Sequence, residues 1–467
     1  MEIVLLIYSI MFIIIVGLLV LAPFLSRRSE LFTFNNIFLV GSSIFIGLSG
    51  INAVYQGHYF PYSGDTYVRF FVSTSLFYAT YVISYYKVVR PYRAGLRFGH
   101  SMPVWNPIGV ALFFLCLLPL LLAPAVAPQI PGIGRVFTQL GFIVPGFVAA
   151  AALWAWLQRK TNLFILLAAL AAIAVAILSL LAVGGGRRAL YGAIFGIPVT
   201  YYWMSMRKWR PFSVILVVAS MLFVGIIFDR AYDSVRWIGT SRSSQEIDGA
   251  DERIRLISGK FNITNVTTVV RMGQTGVEYS LMSIHFYSGQ NSLLSVSPLH
   301  SLYVLLTFPI PRMIWESKPR HLGLTLPFDA RIFEDGTKTN AGPGIAGHLA
   351  NDGGLLLALP YAILLAMGIR YLDGILHARG DDPLVLGFMA ASCFHILGWS
   401  RGDISSFTIW PLFCFAFLLV VRRLVVVVGL ARRPVHRLDT AMGLKSIRTE
   451  NLNSYRNIYR RGSPPRR

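Results

Sequence analysis

Four short polar runs carry the residue types that chemistry needs. Pro309 to His321 gathers Arg312, Lys318, Arg320 and His321 beside an apolar stretch, with Trp315 among them. Asn340 to Gly354 holds His348, Asn351 and Asp352 at i, i+3 and i+4, so a helix starting near Pro343 puts all three on one face. Gly184, Gly185 and Gly186 precede Arg187 and Arg188 at the start of another apolar stretch. His395 lies inside an apolar run that leads to Trp399, Arg401 and Asp403.

The arginines suit phosphate. A guanidinium grips phosphate oxygens in a bidentate fork, and glycines at a helix start let backbone N–H groups approach an anion. Arg187, Arg188, Arg312, Lys318, Arg320 and Arg401 are therefore candidate diphosphate ligands. Arg271 joins them, seven residues from Glu278 on one face of a helix expected over 266–288. His348, Asp352 and Glu278 are candidates to orient a hydroxyl or take its proton. Each has a plainer alternative. Arginines snorkel to headgroups, Trp315 anchors at an interface, and His348 and Asp352 cap or pack a helix. A packing His395 and a local Arg401–Asp403 pair are the plain reading of the fourth run.

What must position these residues is mostly apolar. The chain has 467 residues, of which 55% are hydrophobic and only 13% charged. Soluble domains carry roughly 25% charge. Apolar stretches are centred near residues 3–25, 31–53, 67–86, 107–126, 136–157, 162–183, 189–206, 211–228, 348–369, 383–399 and 404–421. The expectation is an all-α polytopic membrane protein of about eleven transmembrane helices. Met1, Glu2 and Ile3 open the first of them without a basic leader, so it reads as a retained span. The stretch 299–315 is short and holds Pro309, Pro311 and Arg312, which makes it a re-entrant or interfacial segment.

Cations sort the connections. Arg27 with Arg28, Lys87 to Arg97, Arg159 with Lys160, Arg207 to Arg210, and Arg370 with Arg379 mark one side, while 54–66 and 127–134 hold no Lys or Arg. The positive-inside rule then puts the N-terminus outside and the C-terminus in the cytoplasm. Four parts follow: a bundle of eight spans (1–229), a large outer loop (230–347), three more spans (348–421) and a basic tail (422–467). That tail has twelve Lys or Arg against Asp439 and Glu450, and it suits anionic headgroups. No nucleic-acid-binding motif accompanies it, so nucleic acid is not an expected partner.

Other chemistries lack their signatures. Cys116, Cys393 and Cys414 sit in apolar stretches with no metal spacing. There is no Walker loop, Rossmann glycine pattern, HExxH, serine elbow or Asp-rich cluster in the sequence. No metal or cofactor is expected.

Pro311, Arg312, Trp315, Lys318 and Pro319 form a Pro-Arg-x-x-Trp-x-x-Lys-Pro run. With Gly342, Pro343, Gly347, Asn351 and Gly353, and with Arg187 and Arg188 after glycines, the chain resembles the Wzy-type O-antigen or oligosaccharide repeat-unit polymerases, and more loosely the O-antigen ligases. It departs from that pattern at His348, where the family carries a glutamate, and at Asp352, where it carries an aromatic. The resemblance covers most of 180–372. It implies a GT-C-like, metal-independent, inverting glycosyltransferase of a bacterial inner membrane. The donor and acceptor would be oligosaccharides linked to undecaprenyl diphosphate, and a chain-length regulator would be a further partner. Transfer to another acceptor, as by a ligase, and flipping of the lipid-linked glycan are the rival activities.

Overall fold

The computed structural model describes residues 1–55, 62–105, 107–121, 134–182, 187–221, 276–288, 297–308, 310, 314–329 and 342–432. The protein is mostly helical. Seven helices are long and apolar enough to cross a membrane: Glu2–Leu25, Phe34–Tyr55, Leu140–Gln158, Leu163–Leu181, Leu355–Arg379, Pro383–Ser400 and Phe407–Val427. Four other helices fall where spans are expected, Gly64–Lys87, Pro107–Leu121, Arg187–Met204 and Pro211–Met221. They are shorter, or interrupted by polar residues such as Ser73, Thr74, Ser84 and Thr200. The only strand pairing among the described residues joins Val104–Trp105 to Ala431–Arg432.

Local sequence explains where the helices start. Thr33 accepts a hydrogen bond from the Asn36 N–H at 3.1 Å, capping the Phe34–Tyr55 helix. Asp382 accepts from the Leu384 and Val385 N–H groups, with Pro383 in the first turn. The helix Glu2–Leu25 turns Leu5, Ser9, Phe12, Val16 and Val20 inward at spacings of three or four. Its opposite side exposes Ile3, Ile7, Ile14 and Leu18, as a lipid-facing helix does. Helices in the centre approach closely on small residues. Gly146 lies against Ala391 and Gly196 against Ala390, leaving no space for larger side chains.

The expected span at 348–369 is corrected. The chain is helical over Gly344–Asp352, breaks at Gly353 and Gly354, and restarts as Leu355–Arg379. Gly354 takes φ 62° and ψ −146°, a backbone shape open in practice only to glycine. The crossing helix therefore begins seven residues later than hydropathy suggests. The segment at 299–315 contains the eight-residue helix His300–Thr307, about 12 Å long, too short for the ~30 Å hydrocarbon core.

The two ends of the bundle differ. At one end Glu30 meets Arg207, Arg379 reaches the carbonyls of Met102 and Pro103, and Arg422 reaches Ser101. This is the basic end. At the other end the helix Gly344–Asp352 packs on Gly276–Ser288, on His300–Thr307 and on the turn Gly398–Ser400, and the Gly323 N–H of the helix Leu322–Asp329 donates to Asp403.

Candidate functional site

The helix Gly344–Asp352 organises this second end. Pro343 stands at its N-cap, and Gly347 packs on Ser283, whose hydroxyl donates to the Gly347 carbonyl at 3.1 Å. As the spacing predicts, His348 and Asp352 share a face. That face is wholly buried, with both residues at 0% exposure.

Both side chains meet Ser301. His348 Nδ1 lies 2.5 Å from Ser301 Oγ. His348 Nε2 accepts the Ile404 N–H at 3.0 Å and lies 3.9 Å from Asp403 Oδ1. Because Nε2 accepts, the single proton of the neutral ring belongs on Nδ1, which donates to Ser301. Asp352 accepts from the Ser301 N–H at 3.1 Å, the Tyr361 hydroxyl at 2.9 Å and the Asn351 amide at 3.0 Å. Asp403 in turn accepts the Gly323 N–H at 2.8 Å, near the start of the Leu322–Asp329 helix. His348, Asp352 and Asp403 thus clasp five segments together. Burial pushes the His348 pKa below its usual 6.5, while the Asp403 and Asp352 charges oppose that shift. Both ring nitrogens of His348 and both carboxylate oxygens of Asp352 are engaged in hydrogen bonds.

The charged candidates lie around this clasp. Arg188 is exposed, its guanidinium carbon 3.4 Å from the Phe407 ring centre. The Phe407 ring packs against Gly398 and Gly402, so it ties Arg188 to the turn that carries Arg401. Arg401 is half-buried, 5.5 Å from the Phe45 ring centre. Burial raises the Tyr279 pKa; the nearby Arg401 charge lowers it and the Glu278 charge raises it. Both charges therefore act on one phenol. Glu278 also adds to the rise of Tyr62, which burial pushes up to about 12. Arg188, Arg401 and Glu278 come from separate segments and reach the same end of the bundle.

Lys318 has a local task. Its ammonium donates to the carbonyls of Phe308 and Ile310 at 2.8 and 2.9 Å and lies over the Phe308 ring. It satisfies carbonyls that the ending His300–Thr307 helix leaves open. Arg320 is exposed, and its carbonyl receives His300 Nε2 at 2.9 Å. His395 is buried, stacked on Trp410 with ring centres 5.0 Å apart. Arg271 and Arg312 lie outside the described residues. Arg187 opens the Arg187–Met204 helix, but its side chain is outside them too.

Sequence reading missed Ser301, Tyr361 and Tyr279. Ser301 was the most findable, as a serine just inside the apolar stretch Leu299 to Ile310. Among the described residues no group of His, Cys, Asp or Glu has the arrangement of a metal site. The chain matches no model of a known protein family, no curated protein and no solved structure.

Proposed function

We propose that this chain is a metal-independent membrane glycosyltransferase with a GT-C-like fold, working at the periplasmic face of a bacterial inner membrane. In this reading Gly64–Lys87, Pro107–Leu121, Arg187–Met204 and Pro211–Met221 also cross, and with the seven apolar helices they make eleven spans. The basic end faces the cytoplasm, and the end carrying Arg188 and Arg401 faces out.

One observation carries the reading. Arg188, Arg401 and Glu278, far apart in sequence, converge at the end of the bundle opposite its basic end. Cations placed against the positive-inside rule suit an anionic ligand, and the diphosphate of a lipid-linked glycan is one that a glycosyltransferase must stabilise as it leaves. The acceptor hydroxyl oxygen attacks the anomeric carbon of the donor. The bond from that carbon to the diphosphate breaks, and undecaprenyl diphosphate leaves with the electron pair. Arg188 and Arg401 hold the leaving charge. Glu278 takes the hydroxyl proton, and the His348–Asp352 clasp keeps these groups in register. Repetition polymerises the repeat units.

Arg401→Ala tests it, in a strain with this chain as the sole copy. The polymer ladder collapses to single repeats while the protein remains in the membrane at normal amount. A full-length ladder removes Arg401 from the mechanism. Free lipid-linked polymer that never reaches its final acceptor marks the chain as a ligase instead.

A further inference from the structure

The helix Arg90–His100 carries a second surface that glycosyl transfer does not use. Its inner face is fixed. Gly95 packs against the backbone of Tyr371 and Gly374, and Gly99 against Ile375 and Ala378, so the helix cannot turn about its axis without separating from Leu355–Arg379. The side away from that contact presents Arg90, Arg93, Arg97 and His100 at spacings of three, four and three, all exposed. Lys87 precedes them at the end of the previous helix.

This charge is not neutralised from within the described fold. No Asp or Glu occurs between Asp65 and Asp229. The described acids at this end are engaged elsewhere. Glu30 binds Tyr202 and Arg207. Asp373 binds the Phe34 N–H and the Tyr85 hydroxyl. Asp381 and Asp382 pair with Arg379. The helix also has no acid in its first turn, so Arg90 and Arg93 stand where the helix dipole disfavours cations.

What lies beside the stripe points to its partner. Ile83, Tyr86 and Val89 are exposed just before the cations, at 62%, 48% and 44%. An apolar and aromatic step followed by a row of arginines matches the change from acyl chains to headgroups. The positive-inside rule accounts for cations at this end, but it does not require them on one face of a pinned helix.

We propose that the Arg90–Arg93–Arg97 face is a binding site for the phosphates of anionic phospholipid headgroups in the adjoining leaflet. It is independent of the catalytic reading.

The test measures retention of a fluorescent phosphatidylglycerol probe by the purified full chain in nanodiscs of neutral lipid, against salt. Three proteins are compared: wild type, R90Q/R93Q/R97Q, and R28Q/R159Q/R210Q, which loses the same charge from other exposed positions at this end. The stripe variant should lose affinity by about fivefold per removed cation, and the control variant much less. R90K/R93K/R97K, which keeps the charge, should bind within severalfold of wild type and show that the stripe variant's loss is not a folding defect. Equal loss in the stripe and control variants, or unchanged binding in the stripe variant, overturns the proposal. So does a stripe that holds an acidic soluble protein but no lipid.

Discussion

Ser301 Oγ and His348 Nδ1 lie 2.5 Å apart across a sequence separation of 47 residues. The pair joins a short helix from the region expected as a large loop to the segment that leads into a crossing helix. Ser301→Ala removes the acceptor of a fully buried imidazole N–H. Leaving such a donor unpaired costs about 1–3 kcal/mol. The thermal midpoint in detergent should fall accordingly. The double variant with His348→Ala should be less destabilised than the sum of the singles, with a coupling of about 0.5–3 kcal/mol. Strict additivity would show that the hydrogen bond contributes nothing of its own.

Acid should loosen the same clasp. Burial holds the His348 pKa below 6.5, against the opposing charges of Asp403 and Asp352, while His300 and His321 push it further down. Above pH 6.5 the ring is neutral in both the folded and unfolded chain, and its contribution is fully present. As pH falls below 6.5 the unfolded chain takes up a proton that folded His348 does not yet accept, so stability declines. Thermal midpoints measured from pH 7.5 downward, a range chosen to span about one unit on each side of the histidine value, should drop more steeply for wild type than for His348→Gln. Parallel curves would assign the acid sensitivity to other groups.

Much of this arrangement was legible because it follows from repetition. Apolar stretches located helices. The spacing of His348 and Asp352 put them on one face, as observed. Sequence did not reveal what that face meets. The Ser301 partner and the Asp403 to Gly323 bond join segments 47 and 80 residues apart, and no local pattern encodes such pairings. Lys318 looked like an anion ligand because charge is visible in sequence, whereas the open carbonyls of Phe308 and Ile310 are not. The break at Gly353 and Gly354 was hidden for a similar reason. Hydropathy averages over a window, and a single backbone conformation leaves it unchanged.

That break gives a contrast between two glycines of one region. Gly354 adopts φ 62° and ψ −146°, so Gly354→Ala forces a side chain into a disfavoured shape. The expected cost is about 1–3 kcal/mol. Gly368 lies within the Leu355–Arg379 helix, and a methyl group added there would meet no neighbouring atom within 4 Å. Gly368→Ala should be neutral or stabilise by up to ~1 kcal/mol through helix propensity. Unfolding midpoints of the two variants in one detergent decide this. Equal midpoints would mean that the break is not held by the glycine.

The proton-transfer role has its own test in Glu278. Its charge acts on Tyr62 and Tyr279, and Arg401 acts on the same Tyr279. If Glu278 accepts the acceptor-hydroxyl proton, Glu278→Gln keeps size and most packing but removes the base. Transfer in proteoliposomes should slow by about 10²–10⁴-fold, with donor binding little changed. Tyr279→Phe, which leaves both charges in place, should stay within about tenfold, since it removes only a hydrogen-bonding group. Arg188→Ala should instead act on the leaving diphosphate, with a loss of about 10²–10³-fold. Donor binding separates the two roles, little changed in Glu278→Gln and weakened in Arg188→Ala. A Glu278→Gln protein with wild-type rate would mean that another group takes the proton.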